Sequence, residues 1–190
     1  MDAAEQPLRA DARRNRERIL LAARDVFAES GFAAPLDEIA ARAGVGPGTV
    51  YRHFPTKEAL FQAVVSARVT DLVAEAQRRS SHADPGSAFF GFLAHLGAEG
   101  AAKRDTSDAI TVPGSLRVDI HDALEDLLVR AQAAGTVRPD ITAADLITLL
   151  KSLLAAVHEN PAPGRVERLF AVLTDGLCPP ATTPSNTSGS

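Results

Sequence analysis

The sequence has little that would suit a secreted, membrane-spanning or catalytic protein. Its single cysteine, Cys178, cannot form a disulfide within the chain. No stretch is long and apolar enough to span a bilayer, and Asp2 and Glu5 precede any apolar segment, which is the wrong order for a secretory signal. No paired carboxylates, Ser/His/Asp set, glycine-rich phosphate loop or Cys/His cluster has a useful spacing. We therefore expect a cytoplasmic protein that is not an enzyme and needs no cofactor.

Acidic and basic residues are unevenly distributed along the chain. The net charge is −4, yet residues 1–64 contain nine basic and nine acidic side chains, so all of the excess negative charge follows residue 64. Five arginines lie between Arg9 and Arg18, accompanied only by Asp11 and Glu17. Such a basic patch neutralises nucleic-acid phosphates. A solvated helix start is the alternative explanation.

Apolar residues recur at helical spacing, without strand-like alternation or a long repeat, which indicates an all-α protein. The pattern predicts a first helix over residues 12–29 with Asp11 as its N-cap, and a second over Leu36–Ala43 that Gly44 ends in a left-handed conformation. A third helix is predicted over residues 48–54 and a fourth from Thr56, as N-cap, to about residue 79. Four more are predicted over residues 86–102, 115–134, 142–158 and 164–177.

Two of these short helices flank the tight turn Ala43-Gly44-Val45-Gly46. This geometry lets the second helix enter the major groove of DNA while the first braces it on the backbone. The run Leu36-Asp-Glu-Ile-Ala-Ala-Arg-Ala-Gly-Val45, followed by Gly48-Thr-Val-Tyr-Arg-His-Phe54 and Pro-Thr-Lys57-Glu-Ala-Leu60, resembles the DNA-binding domain of the TetR family. The resemblance covers about residues 13–65. Beyond them the chain is similar to the family only in its all-helical layout.

The resemblance implies which residues meet DNA. Gly48 would let the backbone approach the bases, and the residues after it would contact phosphates or base edges. The predicted DNA-binding residues are Pro47, Gly48, Thr49, Tyr51, Arg52, His53, Lys57, Arg13 and Arg14. The alternative for Tyr51 and His53 is packing in a small core. Val45, Val50 and Phe54 are assigned to that core.

The sequence departs from the family pattern at Pro35 and Gly46, where the family often has hydroxyl residues that start the second and third helices. Two phosphate contacts are therefore missing. We expect direct readout from Thr49, Tyr51 and Arg52, with DNA shape and the arginines at positions 9, 13 and 14 contributing more than usual.

The helix predicted over residues 86–102 has an apolar arc wider than a surface helix needs. In the family this region encloses a small apolar effector, and the residues predicted to line the site are Phe89, Phe92, Leu93, Leu96, His121 and Leu124. For any single residue here an ordinary core, with His95 and His121 at its rim, is the favoured alternative. His121 and Glu125 lack a third ligand, so no metal site is expected.

The last two predicted helices carry apolar stripes that exceed the needs of one small domain. They should form a hairpin, and two copies about a two-fold axis would make a four-helix interface, although an intramolecular core is the alternative. The residues predicted to dimerise are Leu146, Leu149, Leu150, Leu153, Leu154, Val157, Leu169, Phe170 and Leu173.

These features predict a three-helix DNA-binding domain followed by a helical regulatory domain. We expect a flexible arm over residues 1–11, the helix-turn-helix domain over 12–64, the effector-binding and dimerisation domain over 65–178, and a disordered tail over 179–190. The function expected is that of a ligand-responsive repressor, a homodimer on a palindromic operator in double-stranded DNA, with no membrane partner. The alternatives are a helical ligand-binding protein or enzyme with a vestigial helix-turn-helix, and a regulator that dimerises without sensing a ligand.

Overall fold

The computed structural model describes residues 5–101, 114–160 and 162–179, and within them it contains eight α-helices and no strand. The predicted all-α class is confirmed. The helices are α1 (Glu5–Ser30), α2 (Leu36–Ala43), α3 (Pro47–His53), α4 (Lys57–Ser80), α5 (Pro85–Ala101), α6 (Gly114–Ala133), α7 (Ala143–Glu159) and α8 (Arg165–Leu177). The predicted tail from residue 180 onward lies outside the described residues.

The first helix begins earlier than the sequence predicted. The flexible arm expected over residues 1–11 is wrong from Glu5 onward, because α1 already runs through this segment. Asp11 therefore lies inside the helix and does not cap it, and its carboxylate pairs with Arg14 one turn later. Pro7 is compatible with the first turn, where a backbone N–H has no intrahelical acceptor. Residues 1–4 lie outside the described residues.

Where the flanking residues are described, the other predicted helix ends agree with the structure to within one residue, and local capping explains three of them. Gly44 has φ 64°, and the amide of the following Val45 donates to the carbonyl of Ala40 over 3.0 Å, which closes α2. At the start of α4 the hydroxyl of Thr56 accepts from the amide of Ala59 over 3.1 Å. Thr142 and Asp145 form a reciprocal capping box at the start of α7.

The chain divides into two compact units: residues 1–74 with 98–120, here the N-terminal unit, and residues 75–97 with 121–190, the C-terminal unit. In the N-terminal unit α1 to α4 enclose an apolar core. Phe27, Phe32 and Phe61 meet there, with the Phe61 ring centroid 5.0 Å from that of Phe27 and 5.3 Å from that of Phe32. The Arg68 guanidinium, whose side chain is 17% exposed, pairs with Glu99 at 3.2 Å.

The core of the C-terminal unit is built from α5 to α8. The glycine at 97 lets α5 approach α8 closely, since a Cβ there would lie 3.0 Å from the Phe170 ring. Glu125 of α6 accepts from the first amide of α7, that of Ala143, over 3.3 Å. The amide of Arg138 donates to the Leu177 carbonyl at the end of α8 over 2.9 Å. Among the described helices, none has the length and apolarity that crossing a membrane requires.

Candidate nucleic-acid interface

The turn between α2 and α3 is held by α1. The guanidinium of Arg18 donates to the carbonyl oxygen of Gly44 over 3.1 Å, across 26 positions of sequence. A Cβ at residue 44 would lie 2.5 Å from the Arg18 Nη2 atom, so the guanidinium packs directly on the glycine. The positive φ favours glycine at the turn, and a side chain there would also displace the Arg18 guanidinium. The bihelical motif is therefore fixed to the rest of the unit.

The inward face of α3 is apolar, as the sequence predicted. Val50 is fully buried, Phe54 is buried directly after the helix, and Val45 in the turn packs half-buried against the same core. Neither Pro35 before α2 nor Gly46 before α3 provides a side-chain capping hydrogen bond. The two departures from the family pattern thus leave both helix starts without a side-chain cap.

The opposite face of α3 carries the predicted reading residues. Tyr51 is 51% exposed, so the alternative that this ring packs in the core is wrong. Arg52 is exposed beside it, and within the part of the chain that the structure describes neither side chain has a hydrogen-bond or ion-pair partner. Pro47 and Gly48 are exposed as well, and Thr49 and His53 are half-buried. The face opposite Val50 is therefore polar and open to a ligand.

Lys57 lies at the first position of α4 and is held by an aromatic ring. Its Nζ atom is 4.9 Å from the centroid of Phe32, which itself packs against Phe61. An ammonium over a ring face is attracted to the ring's electrons and still has N–H donors free for another acceptor. Because α3 ends at His53 and α4 begins at Lys57, this ammonium directly follows the turn after the reading helix.

The arginines of α1 and α2 differ in what they contact. Arg13 pairs with Glu17 at 3.8 Å, and Arg14 pairs with Asp11. Arg42 donates to Glu29 over 2.7 Å, and this hydrogen bond raises the pKa of the Arg42 guanidinium above its usual value.

Arg16 instead lies over the ring of Phe54, with 5.1 Å from its Cζ atom to the ring centroid. The sequence pattern did not single out Arg16. Helical spacing could have found it. Asp11 lies three residues before Arg14 and Glu17 four residues after Arg13, so the two carboxylates of this segment pair with those arginines and leave Arg16 without one.

The predicted effector-site residues all belong to the C-terminal unit. Phe89, Phe92 and Leu93 are fully buried and Leu124 is 2% exposed, so these four are core residues in this state. Leu96 and His121 are half-buried. The Nδ1 atom of His121 lies 3.2 Å from a carboxylate oxygen of its neighbour Asp122.

The predicted dimerisation residues divide between core and surface. Those buried within the single chain are Leu146, Leu150, Val157 and Phe170, and those half-buried are Leu153, Leu154 and Leu173. Leu149 is 44% and Leu169 36% exposed. Val172, which the sequence pattern missed because it lies off the inward stripe of α8, is 70% exposed. The outward apolar surface is therefore formed by fewer residues than predicted.

Two family profiles match the chain. Residues 19–64 match bacterial regulatory proteins of the tetR family, and residues 84–179 match the C-terminal domain of SbtR-like transcriptional regulators. The transcriptional activator FasR of Mycolicibacterium smegmatis is 31% identical over 149 residues, which cover 70% of this chain and 68% of FasR. The transcriptional regulator UidR of Escherichia coli is 44% identical over 59 residues, and the chain spans only 30% of its length.

The solved structures include a similar chain over almost the full length. The TetR transcription regulatory protein from Mycobacterium vanbaalenii is 39% identical, with 91% of this chain and 100% of that chain covered and a TM-score of 0.69. The matches to both halves of the sequence and to the helical fold thus indicate the same family. The chain belongs to the TetR family of bacterial transcriptional regulators.

Proposed function

We propose that the protein is a ligand-responsive transcriptional repressor that binds a palindromic operator as a homodimer. The observation that carries the proposal is the division of α3 into a buried and an open face. Val50 fixes the helix to the core, and the exposed Tyr51 and Arg52 on the outward side have side chains without a described partner. Phenol, guanidinium and hydroxyl groups are the donors that read base edges and phosphates.

The remaining predicted contacts support the same surface. Lys57 lies four residues after His53, the last residue of α3, and carries its charge on the ring of Phe32. A Cβ at Gly48 would meet no atom within 4 Å, so the backbone there is open to a close approach. Because such a surface covers a single half-site, two copies spaced by about 34 Å or a multiple are needed for a palindrome.

Dimerisation is proposed through α7 and α8. Their outward residues Leu149, Leu169 and Val172 are apolar and exposed in the single chain. Packing of two such hairpins about a two-fold axis would remove these side chains from water. The buried residues of the same helices would pack within one protomer and make no contact with the partner.

The effector is proposed to be small and apolar and to bind in the C-terminal unit. This unit has an apolar interior around Phe89, Phe92 and Leu93, with Leu96 and His121 half-buried. Binding would favour a dimer state in which the two reading helices no longer match the operator. The size of that shift is limited by the difference in the effector's affinity for the two states. The site of action is the chromosome in the cytoplasm.

Genome-wide footprinting tests the DNA-binding part. Wild type should protect a discrete palindromic site, and Tyr51→Ala and Arg52→Ala should each weaken binding to it about tenfold or more. Arg117→Ala, which removes an exposed arginine from α6, is the matched control and should bind as wild type does. A reporter gene behind the site then gives the direction of regulation, since FasR is an activator. Equal occupancy by wild type and Tyr51→Ala would contradict the proposal.

Thermal unfolding with candidate apolar ligands tests the sensing part. A true effector at about 100 times its Kd should stabilise the protein by about 2.7 kcal/mol, and it should release the operator while the dimer persists. A ligand that stabilises the protein and leaves operator binding unchanged would instead favour a regulator that dimerises without sensing.

A further inference from the structure

We infer that Arg16, in preference to Arg13 or Arg14, binds a DNA backbone phosphate, and that the ring of Phe54 holds it in place at the end of α3. The inference rests on the proposed DNA binding and adds a residue to it. Its source is the different set of contacts that each α1 arginine makes.

Three other arginines of this segment, all with described side chains, already have acceptors. Arg13 pairs with Glu17, Arg14 with Asp11, and Arg18 donates to the carbonyl of Gly44. A phosphate that recruited Arg13 or Arg14 would have to share the guanidinium with a carboxylate of the same charge sign as its own, or draw the guanidinium away from it. Among the described side chains, Arg16 has no carboxylate or carbonyl acceptor, and its guanidinium contacts only an aromatic face.

The ring under Arg16 is rigid. Phe54 is 4% exposed, and its amide donates to the carbonyl of Val50 over 2.8 Å, so it is fixed at the C-terminal end of α3. The Cζ atom of Arg16 is 5.1 Å from the centroid of this ring, so the Arg16 guanidinium is held next to the reading helix. A guanidinium on a ring keeps N–H donors free for the two oxygens of a phosphate.

Lys57 makes the same kind of contact with a different ring. It follows Phe54 by three positions, and its ammonium lies 4.9 Å from the centroid of Phe32. Two cations are thus placed on aromatic rings beside the end of α3, each without a described carboxylate partner. Holding a cation in place before binding removes part of the ordering entropy that a free side chain would lose. A phosphate contact needs no particular base sequence, so this pair should strengthen binding to any duplex.

The test uses the full-length protein and a mixed-sequence duplex of about 30 bp, because phosphate contacts do not depend on the operator. Affinity is measured over a range of salt concentrations. Arg16→Met should lower affinity about fivefold to tenfold and reduce the slope of log K against log salt by about one. Arg13→Met tests the competing residue directly, and its affinity should fall less than twofold because Arg13 is already paired with Glu17. Arg24→Met, which removes an exposed cation from the same helix, is the matched control and should bind as wild type does. Arg16→Lys keeps the charge without the planar group and should fall between wild type and Arg16→Met.

Equal losses in Arg13→Met and Arg16→Met, or an unchanged salt slope in Arg16→Met, would overturn the inference while leaving the proposed function intact. If wild type did not bind the duplex at all, the proposed function would fail first and the inference with it. Should Arg16→Met fail to fold, the side-chain Nε–H resonance of Arg16 in wild type decides the question. We expect this resonance to shift on addition of the duplex more than that of Arg13, and a smaller shift contradicts the inference.

Discussion

Arg18 of α1 donates to the carbonyl oxygen of Gly44, the residue that ends α2 in a left-handed conformation. This contact stabilises the turn in two ways. The carbonyl at the end of a helix has no intrahelical donor, and the guanidinium supplies one. The same guanidinium fills the space next to the glycine where a side chain would otherwise stand. The angle at which α3 leaves the turn is therefore tied to α1.

Gly44→Ala should lower the free energy of unfolding by about 2 kcal/mol, because a left-handed alanine is strained and its Cβ displaces Arg18. Arg18→Met should cost about 1 kcal/mol through loss of the hydrogen bond. The double variant should be only slightly less stable than Gly44→Ala, since both changes remove the same contact. Urea unfolding followed by circular dichroism measures all three. Strict additivity would show that Arg18 and Gly44 act independently.

Gly48→Ala should separate folding from DNA binding. A Cβ at residue 48 meets no atom within 4 Å, and the position lies inside α3. The substitution should raise the free energy of unfolding by up to about 0.5 kcal/mol, because alanine favours helix over glycine and this preference is weaker in the first turn than in a helix interior. Operator affinity should nevertheless fall, since the new methyl group lies on the face proposed to approach the bases. A thermal melt and a binding isotherm check the two parts, and unchanged affinity would place Gly48 away from DNA.

Phe32 should act on DNA binding through Lys57. Phe32→Leu removes the ring under the ammonium and should weaken duplex binding roughly twofold to fivefold, the range expected for an exposed cation–π contact. In a Lys57→Met background the same substitution should have no further effect on binding, although it should still reduce stability because the contact with Phe61 is lost. A double-mutant cycle on the mixed-sequence duplex measures the coupling. An equal loss in both backgrounds would mean that Phe32 acts only through the fold.

Val172→Glu should produce a folded monomer. The side chain is 70% exposed, so the single chain loses little when it becomes charged. In a two-fold interface the same position would bring unpaired carboxylates out of water, which is strongly unfavourable. Analytical ultracentrifugation should show loss of the dimer, and operator binding should fall with it. Gln77→Glu adds the same charge at an exposed site on α4 and should stay dimeric. A dimeric Val172→Glu variant would place the interface elsewhere.

Much of the fold was determined by local features of the sequence. Periodic apolar residues fixed the existence of each helix, and the short-range effects of Gly44, Pro47 and Thr56 fixed the ends of α2, α3 and α4. These signals work because a capping or chain-breaking residue acts on neighbours within one turn. The same reasoning failed at Asp11, where an acidic residue suited to a cap pairs with Arg14 inside a longer helix.

Which side of a helix faces the core was harder to predict. In α7 and α8 leucine and valine occupy several adjoining faces, so spacing alone could not separate the buried Leu146 from the exposed Leu149. The missed Val172 has the same cause. Burial depends on the neighbouring helices, and their placement is set by contacts far apart in sequence, such as that between Gly97 and Phe170.

In the DNA-reading motif, too, some features follow from local sequence and others from contacts between distant residues. By itself the sequence determined that residues 36–60 form two short helices around a glycine turn and that Val50 points inward, because these properties depend on local backbone preference and helical period. Only the tertiary structure decided that Arg18 supports the turn and that Arg16 and Lys57 lie on aromatic rings. Those contacts join residues that are distant in the chain, and a guanidinium can pair with a carboxylate, a carbonyl or a ring. The choice among them is made by what the folded chain places within reach.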